Sequence, residues 1–494
     1  MDSARRRFSV PPEVLVLTAL GFITRCWRLF TPREIVWDEV HFEDFASRYF
    51  SGAYYLDVHP PLGKLLFAVT AWLMRVPGAQ LLAGTSAPEL RLLPAIAGAL
   101  IIPTFWLLLR QLGASRRIAL FGAAMLLLDN ALLVQSRFVL MDSVLTWFGL
   151  AAVTAFLVAR RRAGNARWAW LAASALLAGA AASTKWTGLT ALGLMGVTWA
   201  LDMWRTPRAV RRAAAAAPAP SMARWAGEFA TLAVVPAAVY VATFAVHFAL
   251  LPNDGIGVRY MSPEFAATRV GNAAYRADAH MSFAAEVADL NHAMGAMNLS
   301  WSGATHPAAS KWYTWPISKH PVLFWQTDTG QRGDTQWIML QGNPVLWWGI
   351  LAALALFGAL LALARLSRRG GAGRASVVAA RARTHRDALL FLLAGYVMNF
   401  VPFAFITRPM YLYHYFFGLT YSVALASFAV GVLAGWTDDD TDRLWRFPSR
   451  VSRTTYVAMI ALVAVSFAYF APMSYGTALS ASAVQHRRWL LEAH

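Results

Sequence analysis

Stretches of about twenty mostly apolar residues, separated by short arginine runs, constrain this chain more than any single motif. A helix needs about 20 such residues to cross the hydrocarbon core of a bilayer. Stretches of that kind run near 13–30, 90–109, 118–135, 143–159, 167–183, 186–203, 228–250, 345–365, 388–406, 412–435 and 453–471. The pattern predicts an all-α polytopic membrane protein with about eleven transmembrane helices, one integral membrane unit over residues 1–494. Only 14% of residues are charged, against roughly a quarter in soluble domains. The 29 Phe, 21 Trp and 15 Tyr exclude a disordered chain. A lone cysteine, Cys26, excludes an intramolecular disulfide scaffold. The N-terminus enters its first apolar stretch without a small-residue cleavage site, so that stretch is expected to be a retained span.

A net charge of +18 on so apolar a chain needs an explanation. Nucleic-acid binding would gather the basic residues on a solvated domain, whereas here they lie in short runs between spans. With the N-terminus cytoplasmic, the runs at 5–7, 110–117, 160–167, 205–224, 365–386 and 443–453 fall on one side and hold roughly +17 of the total. The other side sums to about +1. The stretch 63–76 is shorter and carries Lys64 and Arg75. It suits an interfacial or re-entrant helix, and counting it as a span would flip every later loop and put most arginine runs outside. The C-terminus is then extracytoplasmic, as are two long loops, 31–89 and 251–344. Polar chemistry on one membrane face points to a lipid-linked or extracytoplasmic substrate.

The first loop reads IVWDEVHFEDFASRYFSGAYYLDVHPPLGKLLF. Asp38 and Glu39 are adjacent, so their side chains diverge; one can face a substrate while the other holds structure. A carboxylate at the membrane edge beside Trp37 and Phe42 has its pKa raised by desolvation and can serve as a general base. Solvated loop charges, or partners for Arg33 and Arg48, are the plainer reading. In His59-Pro60-Pro61-Leu62-Gly63-Lys64 the prolines fix an extended approach and Lys64 opens an apolar helix, either as a functional cation or as a snorkelling one. Only four lysines (Lys64, Lys185, Lys311, Lys319) stand against 40 arginines, all four on the extracytoplasmic side. A lysine kept against such a bias suits a phosphate.

Further cations gather at the same face: Arg91, Arg137 with Asp142 close behind, Lys185 between two spans, and Arg408 with His414 before the tenth span. Arg137 is either a phosphate ligand or the partner of Asp142 or Asp129. Lys185 has no acid within ten residues in sequence, which favours a functional role. Trp301, Trp312, Trp315 and Trp325 with Tyr313 can stack on a sugar or peptide, or form an interfacial belt. Asn298-Leu299-Ser300 matches the glycosylation acceptor pattern. No His/Cys metal cluster, Walker loop or dinucleotide fingerprint stands out in the sequence.

The blocks WDEVHF, YYLDVHPPLGKLL, ELRLLPA, LDNALLVQSRFVLMDSVL and STKWTGL, followed by THPAASKWYTWPI and YLYHYFFGL, resemble the protein O-mannosyltransferases, in the same order from about residue 24 to 420. The last two are similar to the bacterial branch. The resemblance implies the C-type glycosyltransferase fold and a lipid-phosphate sugar donor. It also implies a large loop without the inserted β-trefoil module of fungal and animal members. It assigns Asp38 as catalytic base with Glu39 in support, and matches Arg25 and Arg91 to important basic positions. Lys64, Arg137 and Lys185 are expected near the lipid phosphate, with His59, Asp142, His414 and Trp312 as further site candidates.

The function expected is inverting transfer of mannose from a polyprenyl-phosphate carrier to Ser or Thr of a secreted or membrane polypeptide, including one crossing the membrane. No cofactor or metal is expected, and no nucleic acid; the partners are the donor, the acceptor polypeptide and membrane lipids. The setting implied is a bacterial cytoplasmic membrane. Two other readings stand beside it: a related transferase acting on a lipid or cell-wall glycan, and a transporter or flippase. The absence of a sequence repeat and the one-sided polar residues speak against the last.

Overall fold

The computed structural model describes residues 11–213, 221–329, 334–366, 374–437 and 444–488. The expected arginine run at 5–7 lies outside them, as do parts of the runs at 205–224, 365–386 and 443–453. The first half of the chain forms α1 (Pro12–Cys26), α2 (Glu39–Ser51), α3 (Leu62–Leu73), α4 (Gly78–Leu82), α5 (Leu92–Gln111), α6 (Arg116–Leu127), α7 (Asn130–Gln135), α8 (Asp142–Arg160), α9 (Gly164–Thr184), α10 (Leu189–Ala213) and α11 (Met222–Leu250). The second half forms α12 (Pro263–Ala267), α13 (Phe283–Ser300), α14 (Pro344–Leu366), α15 (Arg374–Thr384), α16 (Arg386–Phe400), α17 (Phe416–Ala434), α18 (Arg450–Tyr475) and α19 (Ala481–Arg487). Local chemistry sets many of the boundaries. Ser115, Ser221, Ser282 and Ser449 accept backbone N–H groups at helix starts, and Gly52, Gly435 and Gly476 end helices in the left-handed conformation.

Seven helices among the described residues are long and apolar enough to cross a bilayer. They coincide with the expected stretches at 90–109, 143–159, 228–250, 345–365, 388–406, 412–435 and 453–471. The other four expected spans fall on α1, the α6–α7 pair, α9 and α10, which are shorter or less apolar. The short apolar helix α3 lies in the 63–76 stretch, and α2, α3 and α4 fill the first loop. Burial divides the bundle into centre and rim. About 94% of the apolar window of α17 is buried, against 22% in α11, α14 and α18. An apolar helix left that open needs lipid, not water, around it.

The fold is not wholly helical. β1 (Val322–Asp328) pairs antiparallel with β2 (Asp334–Leu340), and β2 with the short β3 (Leu479–Ser480). The loop 251–344 therefore holds a hairpin that brings the C-terminal segment back to the bundle. Helical periodicity did not foretell it, because the strand VLFWQTD is too short to separate from a buried helix turn.

The bundle has two chemically different ends. Asp142 opens α8 and Arg160 closes it, about 27 Å away at 1.5 Å per residue. Arg91, Asp142, Lys185, His247 and the sheet gather at one end. Arg160, Arg167, Arg205, Arg224 and Asp387 line a cavity at the other.

Candidate functional site

The segment between α1 and α2 is pinned before it reaches Asp38. The Arg137 guanidinium donates to the carbonyl oxygens of Arg25, Trp27 and Arg28, at 3.2, 2.5 and 3.0 Å. The Arg91 guanidinium donates to the carbonyls of Pro32 (2.6 Å) and Glu34 (3.0 Å), and bidentately to Glu39 Oε1 (2.8 Å) and Oε2 (2.7 Å). Glu39 also accepts the backbone N–H groups of Val36 and Val139. Its carboxylate is fully buried with four donors, which makes it a structural tie between this loop and the segment before α8.

Asp38 turns the other way. Trp37 sits at φ +51°, a left-handed conformation that bulky residues rarely adopt. Its ring stacks on Phe324 of β1 (5.5 Å between centroids) and meets His306 and Tyr411 edge-on. Asp38 sits half-buried at the N-cap position of α2 without a side-chain bond to the helix, and Tyr413 donates to its Oδ2 across 3.4 Å. Burial, helped by Asp142, holds the Asp38 carboxyl above the usual carboxylate range, while His41, Lys185 and the Tyr413 hydroxyl oppose the shift. A carboxylate raised in this way is a stronger base than a solvated one.

Beside it opens a cavity of about 330 Å³, lined by His59, Asp142, Lys185, Arg408, Tyr413 and His414. Its apolar wall includes Leu145, Phe403, Phe405 and Phe417. Asp38 reaches it through Tyr413. The Lys185 ammonium donates to Asp142 Oδ1 at 2.7 Å and lies 5.9 Å from the Tyr413 ring centre; Asp142 Oδ2 accepts from Gln135. Arg408 makes no side-chain hydrogen bond or ion pair among the described residues, so its guanidinium is the cavity's uncommitted cation. The His414 ring lies between Trp315 and Tyr413, with Nδ1 accepting from the Tyr411 N–H. Burial beside Lys185, Lys64 and Arg408 pushes His59 well down, into the neutral form at pH 7.

The structure separates cations that the sequence reading had grouped around one phosphate. Of Lys64, Arg91, Arg137, Lys185 and Arg25, only Lys185 lines the cavity. Lys64 is fully engaged by Asp57 Oδ2 (2.7 Å) and the carbonyls of His59 (2.6 Å) and Pro60 (2.7 Å). Arg91 and Arg137 spend their donors on the loop, and buried Arg25 reaches Thr24 and the Leu127 carbonyl. Buried cations take whatever acceptors fold places beside them, and here those are loop carbonyls. The expected partners of Arg137, Asp142 and Asp129, are engaged elsewhere: Asp142 with Lys185, Asp129 with Trp347 and the start of α7. Lys185, with no acid within ten residues in sequence, thus finds its partner across 43 positions. Trp312 packs edge-on against Phe400 outside the cavity lining. Tyr413 carried a signal in the sequence through its place in YLYHYFFGL, at the start of the tenth span and five residues after Arg408.

A second carboxyl beside this framework is shifted further. Glu43, on α2, is pushed up to about 8 by burial and then by the neighbouring Glu39 carboxylate; its Oε2 accepts the Ala87 N–H. The folded chain thus holds a proton that the unfolded chain releases near pH 4.5, so this group weakens stability progressively as pH rises from about 4.5 to about 8. Glu43→Gln is expected to raise the melting temperature in detergent by an amount that grows between pH 5 and 8. A gap constant with pH would contradict the shifted carboxyl.

The chain is thus a polytopic helical bundle with a desolvated carboxylate and a mixed cationic and apolar cavity at one end. The family model described as Dolichyl-phosphate-mannose-protein mannosyltransferase matches residues 15–252. The C-terminal four TMM region of protein-O-mannosyltransferase matches 283–493. The chain belongs to the protein O-mannosyltransferase family. It is 33% identical over 292 residues to Dolichyl-phosphate-mannose--protein mannosyltransferase 1 of Saccharomyces cerevisiae, covering 55% of this chain and 34% of that protein. To Dolichyl-phosphate-mannose--protein mannosyltransferase 4 of Candida albicans it is 32% identical over 274 residues, covering 51% and 35%. The matches span about a third of the length of these curated relatives. The fold is similar to that of the S. cerevisiae protein O-mannosyltransferase Pmt1-Pmt2 complex bound to the sugar donor, with TM-score 0.82, 18% identity, and 98% and 93% of the two chains covered.

Proposed function

We propose that this chain transfers mannose from a polyprenyl-phosphate carrier to Ser or Thr hydroxyls of a polypeptide, with inversion at the anomeric carbon. The observation that carries this reading is the cavity itself, a cationic and apolar recess joined through Tyr413 to a desolvated Asp38. Asp38 takes the hydroxyl proton as the acceptor oxygen attacks the sugar carbon. The bond to phosphate breaks on the opposite face, and the leaving lipid phosphate departs against Arg408 and Lys185, whose charge stabilises it. Fixed cations at this position supply the stabilisation without a bound metal or cofactor. His59 and His414 can donate or accept hydrogen bonds to sugar or phosphate, and the apolar wall takes the start of the polyprenyl chain.

The arginine-rich end of the bundle is cytoplasmic in this reading, which places the N-terminus inside and the site and C-terminus outside a bacterial cytoplasmic membrane. The acceptor is a secreted or membrane polypeptide, met during or after translocation. The family membership and the mannosyltransferase names of the relatives support the donor and acceptor classes. The test is reconstitution with radiolabelled polyprenyl-phosphate-mannose and a Ser/Thr-rich peptide, with and without a chelator. Label should enter peptide in both cases. Label entering only lipid would replace this reading by a lipid-acceptor transferase. Arg408→Gln is expected to raise the donor KM about 10-fold or more, the scale of a charge-assisted contact to phosphate. An unchanged donor KM would remove Arg408 from the phosphate site.

A further inference from the structure

A groove of about 950 Å³ between α14, α15, α16 and α17 opens at the end of the bundle opposite the site and runs inward as far as Tyr396 and Tyr415. Its mouth holds Arg365, Arg383 and Arg386, one each from the end of α14, the end of α15 and the start of α16. None of the three makes a side-chain hydrogen bond or ion pair among the described residues, and no carboxylate lines the groove. Other arginines at this end are paired: Arg160 with Asp202, and Arg167 and Arg224 with Glu228. Asp387, next in sequence to Arg386, lies near Arg205 and lines a different cavity.

Behind the mouth the walls are apolar, with Leu354, Phe357 and Leu361 on one side and Leu389 and Leu393 on the other. The groove reaches Tyr396, ten residues along α16 from Arg386 and so roughly 15 Å deep. Three exposed cations from three elements give the groove a positive mouth that complements an anionic headgroup, and an anion alone would leave the apolar recess unfilled. We propose that the groove holds one anionic phospholipid, its phosphate among Arg365, Arg383 and Arg386 and an acyl chain along α16. This inference needs only the membrane fold and is independent of the reaction proposed above.

The test titrates the purified full-length protein in detergent with phosphatidylglycerol, phosphatidylcholine and inorganic phosphate, and reads bound lipid by native mass spectrometry. One phosphatidylglycerol per chain is expected, preferred over phosphatidylcholine by roughly 100-fold, the scale that three cations set. Replacing Arg365, Arg383 and Arg386 together by Gln should abolish that preference. Gly358→Leu should also lose the lipid, since a Cβ there meets nothing within 4 Å and the added bulk enters the groove. Arg450→Gln with Arg453→Gln removes charge from the same end on α18, away from the groove, and should leave binding intact. Phosphatidylglycerol retained by the triple variant, or lost equally from the α18 variant, would overturn the proposal. Displacement by equimolar inorganic phosphate would also overturn it, in favour of a free-anion site. If Gly358→Leu keeps its lipid, the acyl chain does not lie in this groove and the proposal fails there too.

Discussion

Asp38→Asn is expected to lower mannosyl transfer by on the order of 10²–10⁴-fold while leaving folding and membrane insertion intact. The change keeps the size of the side chain and its place at the start of α2, and removes only the capacity to take a proton. Melting temperature should therefore hardly move, because the buried tie is made by Glu39 and not by Asp38. The pH dependence gives a second reading of the same group. A general base works when ionised, so kcat/KM should fall as pH drops through the Asp38 pKa. That acid limb should lie above the ordinary carboxylate range, because burial dominates the shift. Tyr413→Phe removes a hydrogen bond that favours the ionised form, so the limb should move further up. Asp38→Asn protein that keeps substantial activity, or an acid limb unmoved in Tyr413→Phe, would count against Asp38 as the base.

Arg91→Leu is expected to be the most damaging change to stability. It leaves the Glu39 carboxylate fully buried with two backbone donors and no counter-charge, and it frees the carbonyls of Pro32 and Glu34. Removing one partner of a buried pair costs about 3–5 kcal/mol. The double variant Arg91→Leu, Glu39→Leu should recover part of that loss, since the stranded charge is gone. Activity should not recover with it, because the loop carrying Asp38 is no longer held. Denaturant titration in detergent measures both; a single-variant loss below about 1 kcal/mol, the scale of an exposed pair, would contradict the arrangement.

Much of this protein was legible in the chain itself. Membrane residence follows from local hydropathy, and the seven helices long and apolar enough to span among the described residues fall where expected. The divergence of Asp38 and Glu39 was readable from adjacency alone, although which of the two faces inward was not. The hairpin at β1 and β2 escaped because short apolar runs carry no period that separates strand from helix. The cations were harder. Lys185, Arg91, Arg137 and Lys64 look alike in sequence, as charges at one end of a bundle. Their tasks differ because their neighbours differ: a carboxylate for Lys185, loop carbonyls for Arg137, both for Arg91 and Lys64.

The sequence by itself determined that the chain lives in a membrane and to which family it belongs. These properties depend on composition and order over windows of about 20 residues, which the solvent reads directly. Tertiary structure alone decided which charges are already spoken for. Asp142 meets Lys185 across 43 positions, Arg91 meets Glu39 across 52, and Tyr413 meets Asp38 across 375. Hydrogen bonds and ion pairs act over a few ångströms in space and carry no memory of separation along the chain. Only the fold could show that Arg408 lines this cavity without a side-chain hydrogen bond or ion pair among the described residues, while Lys185 is paired.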